Sequence, residues 1–320
     1  ITIDFTEADL AMSFDTIPSI AVVIPCYNAE KWVGRAIESV LSEQIDHLLL
    51  VVVDDGSTDR SSEKISMYSD HITQISSKNF GACHARNTGM KLAKSNGAEY
   101  VLFLDADDYV EGDMIGHALA LAKKTKADLV LSNMHVETPE TREERFLYKG
   151  CVPPETFFSG WMRGDYVNPS AIIWRIGFID QIGGWDESLA RAQDLEITLR
   201  AMFHAPIIWK NDQGAAIHTR VNEFSISKNN SRKATESRLR AVLSILDRTP
   251  GTSLEPLAPL LYNEIYSIAR TAFRGKQTDL GRIALARLRQ EGFHGHPGTY
   301  AHRLVSMFLG LENKVRLWGR

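Results

Sequence analysis

Three carboxylates crowd one turn in VLFLDADDYV, residues 101–110. Along an extended strand, side chains two apart share a face, so Asp105 and Asp107 point together and Asp108 points elsewhere. Like charges on one face repel, and burying them adds to the cost. A divalent cation offsets both, and hard oxygen donors suit Mg²⁺ or Mn²⁺. A DxD also makes a turn-and-cap cluster ahead of a helix near Asp113, so the motif alone leaves both readings open.

Two further stretches carry polar groups that can do chemistry. In VVVDDGSTD, Asp54 and Asp55 end an apolar run, Gly56 permits a tight turn, and Ser57 or Thr58 can cap the next segment. A carboxylate in that place can accept hydrogen bonds from a nucleobase or ribose, or simply hold the turn. In KNFGACHARNTGM (78–90), Gly81 and Gly89 bracket a helix bearing Arg86 and Asn87. A guanidinium near strand ends suits phosphate oxygens, and it equally suits one of the aspartates.

The elements that must position these groups alternate in type. Apolar runs at 20–25, 48–55, 71–76, 99–105, 128–135, 171–175 and 206–210 read as strands. Helical periodicity falls at 29–43, with Asn28 as N-cap, and at 59–68, 81–96, 113–125 and 193–204. The rhythm predicts βαβ units, hence an α/β, Rossmann-like and mainly parallel sheet flanked by helices. Ligands of such sheets bind beyond the carboxyl ends of the strands, where PCYN, DDGS and DADD all fall. Residues 136–170 hold four prolines and read as loops with a hairpin. Past residue 230 the pattern is helical, at 231–247, 256–274, 278–290 and 299–317. The expected division is an extension over 1–19, a catalytic domain over 20–228 (halves 20–135 and 136–228), and a helical region over 229–320.

Composition bounds the partners. Net charge is −4 over 320 residues, but residues 231–320 hold 15 Lys/Arg against 7 Asp/Glu. An acidic front argues against nucleic acid there. No run of about 18 uncharged apolar residues occurs. Residues 1–19 carry Asp4, Glu7, Asp9 and Asp15 and no basic residue, unlike a secretory signal, and the chain opens on Ile1 rather than Met. Cys26, Cys83 and Cys151 show no metal-ligand spacing and read as free thiols in a reducing compartment. The expected location is cytoplasmic. The basic amphipathic stretch 299–320 offers either peripheral contact with the inner face of a membrane, or a helix packed on the domain or on a second copy of the chain.

Taken in order, VVIPCYNAEKWVGRAIESVL, VVVDDGSTD, KNFGACHARNTG, VLFLDADD and GGWDESLARAQDLEITLR resemble the family-2 glycosyltransferases over about residues 20–225. The resemblance implies a GT-A fold and inverting transfer from a nucleotide sugar. It implies that Pro25 and Tyr27 line a base pocket, that Glu30 closes it, and that Asp55 faces the uracil of a UDP-sugar. Arg86 would reach the base or diphosphate. Asp105 would serve the ribose or a water-mediated metal contact, and Asp107 would ligate Mn²⁺ or Mg²⁺ directly, with His218 as a further ligand. Asp194 matches the catalytic base, although the usual Glu-Asp pair reads Gln193-Asp194 here. Trp185 and Asp186 would hold the acceptor, a saccharide or lipid-linked saccharide, with Trp185 as a buried loop support the alternative. The implied activity moves a hexose or N-acetylhexosamine to an acceptor hydroxyl in polysaccharide or glycoconjugate synthesis. The rivals are a phosphatase of haloacid dehalogenase type and a non-catalytic sugar-nucleotide-binding module.

Overall fold

The computed structural model describes residues 19–145, 147–220, 231–293, 307 and 310–315. The elements, in chain order, are β1 (Ile20–Cys26), α1 (Val33–Ser42), β2 (Leu48–Asp54), α2 (Ser61–Ser66), β3 (Thr73–Ser76), α3 (Ala82–Ser95), β4 (Tyr100–Phe103), β5 (Tyr109–Glu111), α4 (Met114–Thr125), β6 (Leu129–Glu137), β7 (Arg142–Arg145), α5 (Pro154–Arg163), β8 (Ile172–Arg175), α6 (Ile176–Gln181), α7 (Gln193–Met202), β9 (Ile208–Thr219), α8 (Arg232–Asp247), α9 (Ala258–Arg274) and α10 (Thr278–Gln290). They fall into two compact units. The first holds the described residues of 1–154, 167–187 and 204–223, and the second those of 155–166, 188–203 and 224–320. Residues 155–166 and 188–203, expected in the catalytic domain, thus group with the C-terminal helices. Residues 1–18 of the expected extension, and the tail helix expected at 299–317 apart from 307 and 310–315, lie outside the described residues.

The first unit is built on one sheet of order β3-β2-β1-β4-β8-β6-β9-β5, with β7 paired to β6. β1, β2 and β4 bury nearly every side chain, as strands covered on both faces must. β3, β2, β1 and β4 are mutually parallel. Beyond β4 the expectation of a mainly parallel sheet gives way to a mixed one. β8 runs antiparallel to both β4 and β6, and β5 runs antiparallel to β9. A parallel crossover takes a dozen or more residues. The short segment between β4 and β5 cannot supply one, and β5 pairs at the far edge instead. β6 and β7 form the expected hairpin.

Helix α1 buries Val33, Ala36, Ile37 and Val40, one stripe of 3.6-residue period. It begins four residues later than the sequence reading placed it. Asn28 takes a left-handed conformation, φ +50°, and its Oδ1 accepts the Thr58 N–H at 2.8 Å. The segment between β1 and α1 is therefore spent on stitching itself to the loop after β2. Helix α3 lies close on the sheet, because a Cβ on Gly89 would fall 2.3 Å from Val23 Cγ1.

The sequence reading saw only the start of β9, because NDQG interrupts its pattern. The strand bulges there: Lys210 opposes Leu131, yet the next pair is Ala215 with Asn133. Asn133 Nδ2 donates to the Gly214 carbonyl at 3.0 Å, Asn211 Nδ2 to the Gln213 carbonyl at 2.7 Å, and the buried Lys210 ammonium to Asn133 Oδ1 at 2.5 Å. Gly214 sits at φ +62°, and a Cβ there would lie 2.6 Å from two backbone oxygens. After this detour the strand resumes and delivers His218 and Thr219 to the carboxylates beyond β4.

In the second unit, α8, α9 and α10 are amphipathic. They bury Leu239, Val242 and Ile245, then Leu261, Ile265 and Ile268, then Leu280, Ala284 and Leu288. Helix α5, which prolines at 153 and 154 led us to expect as loop, starts at Pro154, where a missing N–H costs nothing. The loop into α7 is fastened to α8: Ser237 Oγ accepts the Ala190 and Arg191 N–H groups at 2.9 and 3.0 Å. Among the described residues no helix is long and apolar enough to cross a membrane.

Candidate active site

The loops over β1 and β2 are held by acidic side chains accepting backbone N–H groups. Cys26 and Asp54 are register partners, and the Asp55 N–H donates to the Cys26 carbonyl at 2.8 Å. Asp54 Oδ1 accepts from Ser57 N at 3.0 Å. Asp55 is buried. Its Oδ1 accepts the Phe80 N–H at 2.9 Å and the Ser77 hydroxyl at 3.2 Å, and its Oδ2 accepts the Gly81 N–H at 2.7 Å. A carboxylate offers about four acceptor positions, so Asp55 fixes the start of α3 and keeps one position on Oδ2. Glu30, expected to close a pocket, turns its carboxylate to the Arg60 N–H at 2.9 Å. Pro25 lies in β1, and Tyr27 stands beyond its end, half exposed.

Helix α3 carries Arg86 and Asn87 into the site. Arg86 is buried, and its guanidinium donates to Asp105 Oδ1 at 2.6 Å and lies 4.5 Å from the centroid of the Trp185 ring. Asn87 clamps the GGWDES loop: its Oδ1 accepts the Trp185 N–H at 3.0 Å and its Nδ2 donates to the Trp185 carbonyl at 2.9 Å. Trp185 is 3 % exposed, and the Phe103 ring meets it edge-on at 5.3 Å. That corrects the acceptor-stacking expectation for Trp185. Arg86 and Phe103 already occupy its ring, so it supports the loop that presents the exposed Asp186.

The turn after β4 is knotted from several directions. Asp108 is 0 % exposed and both its oxygens are engaged: Oδ2 accepts the Ser170 hydroxyl at 2.7 Å, and Oδ1 accepts the Thr219 N–H at 3.0 Å and His218 Nδ1–H at 3.1 Å. Ser170 Oγ also accepts the Asp105 N–H at 3.2 Å. Arg35, on α1, donates to the Asp107 carbonyl and to Thr219 Oγ1, both at 2.8 Å, with its guanidinium 4.4 Å over the Tyr109 ring. The sequence reading missed Arg35, Ser170 and Thr219. Each is an ordinary surface-type residue far along the chain from the aspartates, and only the fold makes them neighbours.

Asp107 is the exception in this knot. Its carboxylate has no side-chain partner among the described residues. Burial, then the charges of Asp108 and Asp105, push its carboxyl up to about 7. Burial also raises Asp108, despite the hydrogen bonds from His218 and Ser170. Burial alone would lower His218, but Asp108 and the charges of Asp105 and Asp107 raise it.

Among the described residues no three His, Cys, Asp or Glu side chains form a ready-made metal cage. Mg²⁺ and related hard cations are commonly held by one or two carboxylates, with substrate phosphates and water completing the shell. Asp107 fits that role: it is acidic, hemmed in by like charge and has no side-chain hydrogen-bond partner among the described residues. Asp105 keeps its second oxygen. His218, with Nδ1 held by a carboxylate, keeps Nε2, the arrangement usual for a ligating histidine.

The structure brings Asp55, Arg86, Asp105, Asp107, Trp185, Asp186 and His218 into the first unit, whereas Asp194 belongs to the second. Asp194 is the second residue of α7, which opens from Ala192 at φ +61°.

Residues 21–176 match the family described as Glycosyl transferase family 2. The chain is 27 % identical over 229 residues to the uncharacterized glycosyltransferase EpsJ of Bacillus subtilis, covering 66 % of this chain. That stretch spans 64 % of EpsJ, under two-thirds of its length. Among solved structures, Staphylococcus aureus TarS 1-349 in complex with UDP-GlcNAc aligns with a TM-score of 0.58 at 19 % identity, over 85 % of this chain and 92 % of that one. GalNAc-T7 with UDP, GalNAc and Mn²⁺ aligns with a TM-score of 0.55 at 16 % identity, over 72 % and 48 %. With the DDGS, RN and DADD segments gathered at the strand ends of such a sheet, residues 21–176 form a family-2 glycosyltransferase domain of GT-A fold.

Proposed function

We propose that this chain is an inverting transferase that moves a hexose or N-acetylhexosamine from a UDP-sugar to a hydroxyl of a saccharide or lipid-linked saccharide, in polysaccharide or glycoconjugate synthesis. The observation that carries this reading is Asp107, a carboxylate crowded by Asp105 and Asp108, with no side-chain hydrogen-bond partner among the described residues, and pushed up to about 7. Such a group gains most from a cation arriving with a diphosphate. Solved relatives of the fold, one with UDP-GlcNAc and one with UDP and Mn²⁺, favour that ligand class.

Asp107 would hold the Mn²⁺ or Mg²⁺, joined by Asp105 and by His218 Nε2. When bound, the cation supplies charge neutralisation for the departing diphosphate. The chain's own residues do the rest. Arg86, seated on Trp185, presents a fixed cation toward phosphate oxygens. Pro25, Tyr27 and Asp55 receive the base, with the remaining Oδ2 position of Asp55 available to an N–H donor. Asp186 hydrogen-bonds the acceptor. Asp194 takes the proton of the attacking hydroxyl, whose oxygen meets the anomeric carbon on the face opposite the diphosphate, so the centre inverts. Gln193 cannot raise the pKa of that base as a neighbouring carboxylate would.

A thermal-shift screen of UDP-, GDP- and dTDP-sugars with and without Mn²⁺ tests the donor side, since a ligand of the native state raises the melting point by mass action. UDP-sugars with Mn²⁺ should give the largest rise. Asp194→Asn should keep that rise and lose sugar release. If no nucleotide sugar shifts the midpoint, the assignment fails, and if Asp194→Asn turns over normally, the chain is not using this base.

A further inference from the structure

The exposed large hydrophobics among the described residues are Tyr27, Met67, Phe80, Ile207, Ile283 and Met307. Only Tyr27 and Phe80 are aromatic, at 50 % and 59 % exposed, and the buried Asp55 bonds the backbone of Phe80 and of the residue before Tyr27. Tyr27 comes directly after Cys26, whose carbonyl accepts the Asp55 N–H, while the Phe80 N–H is bound by Asp55 Oδ1. The sheet order β3-β2-β1 fixes the sides. Asp55 caps β2, Tyr27 rises from β1 on one flank, and Phe80 lies in the loop leaving β3 on the other.

Neighbouring strands lie about 4.8 Å apart, so β1 and β3 are separated by roughly 9.5 Å across β2. A planar ring held between two others needs about 7–8 Å, twice the carbon contact distance. That backbone spacing suffices for one aromatic layer between the two flanks, beside the Asp55 that caps the strand between them. Phe80 is also tethered. Its ring lies 4.9 Å from that of His84, His84 Nδ1 is 2.9 Å from Glu187 Oε2, and Asn87 Nδ2 donates to Glu187 Oε1 at 2.8 Å. An apolar ring held out in water by its own backbone and neighbours is placed to receive another ring.

We propose that Phe80 is the second wall of the base subsite, so that the donor's nucleobase is sandwiched between Phe80 and Tyr27 above Asp55. This rests on the nucleotide-sugar reading of the site. It adds a binding determinant that none of the DDGS, RN or DADD motifs contains. Stacking on an aromatic face is tolerant of base identity, so Phe80 sets how tightly a nucleotide is held, and the hydrogen bond to Asp55 sets which one.

Calorimetric titration of UDP, GDP and dTDP, and separately of inorganic pyrophosphate, each with Mn²⁺, tests the proposal on the wild type and on Phe80→Ala, Phe80→Leu, Phe80→Tyr and Met67→Ala. Phe80→Ala and Phe80→Leu should weaken UDP roughly tenfold, the scale of one base–aromatic stack, and leave pyrophosphate within about twofold. Phe80→Tyr should restore UDP affinity, and Met67→Ala should match the wild type. UDP binding unchanged in Phe80→Ala, with the wild type binding UDP normally, overturns the second wall alone. Equal losses of UDP and pyrophosphate also overturn it, since Phe80 would then act only through the loop. A wild type that binds pyrophosphate but none of the nucleotides removes the donor reading together with this inference.

Discussion

At the ends of β1 and β2, Glu30, Asp54, Asp55 and Asp59 spend oxygens on the backbone N–H groups of Arg60, Ser57, Phe80, Gly81, Glu30 and Ser61. In the turn after β4, Asp105, Asp107 and Asp108 divide the work unequally. Asp105 takes an arginine, Asp108 takes three donors, and Asp107 receives no side-chain donor among the described residues. Acidic density is similar in the two places, and its use is opposite. The first set makes loops by capping amides. The second leaves one carboxylate raised by its surroundings, which is what the proposed cation-holding role asks of it. An acidic cluster in a sequence becomes informative once each member is asked what it already binds.

The comparison breaks most readily at Asp107. Asp107→Asn should cut donor-sugar turnover roughly 10²–10³-fold, the scale of losing one electrostatic group. Its thermal midpoint should hold or rise, because a repelling charge has gone. A fall of several degrees would make Asp107 scaffold after all. Asp108→Ala should behave oppositely. It strands the Ser170 hydroxyl, the Thr219 N–H and the His218 ring, and should lower the urea-derived stability by about 3 kcal/mol. Asp55→Ala should cost about 2 kcal/mol and speed hydrogen exchange at the Phe80 and Gly81 amides. Unchanged exchange there would separate Asp55 from the loop it is said to hold. The smallest effect is expected from Arg86→Lys, about 1 kcal/mol in stability, since an ammonium keeps the charge beside Asp105 but lies poorly over Trp185. Denaturant midpoints rank all of these on one scale.

Much of this arrangement was legible because it is local. The apolar runs into DDGS and DADD announce strand ends, and a strand end in an α/β sheet is where polar groups gather. Arg86 had two readings, a phosphate ligand and a partner for an aspartate, and the ion pair to Asp105 realises the second without excluding the first. What stayed hidden depends on long-range closure. Arg35 on a helix face looks solvated until α1 is laid against the Asp107 turn. β9 looks broken at NDQG, because a bulge satisfied by buried Asn133, Asn211 and Lys210 has no alternating pattern. The mixed sheet was missed for a related reason, since short polar-edged strands such as β5 carry too few residues to show a period. Trp185 was ambiguous because an aromatic beside a site serves equally as wall or as buttress. Only its neighbours, Arg86 and Phe103, decide.

The hydroxyl of Ser237 carries a consequence for where this protein can be cut. It grips the two amides just ahead of α7, so the orientation of Asp194 depends on a helix that begins past residue 230. A chain shortened to end at 228 would keep every acidic motif and lose the brace behind its proposed proton acceptor. Exchanging α8 for a foreign helix without that hydroxyl would free the same two amides and loosen the entry into α7 from within its own unit.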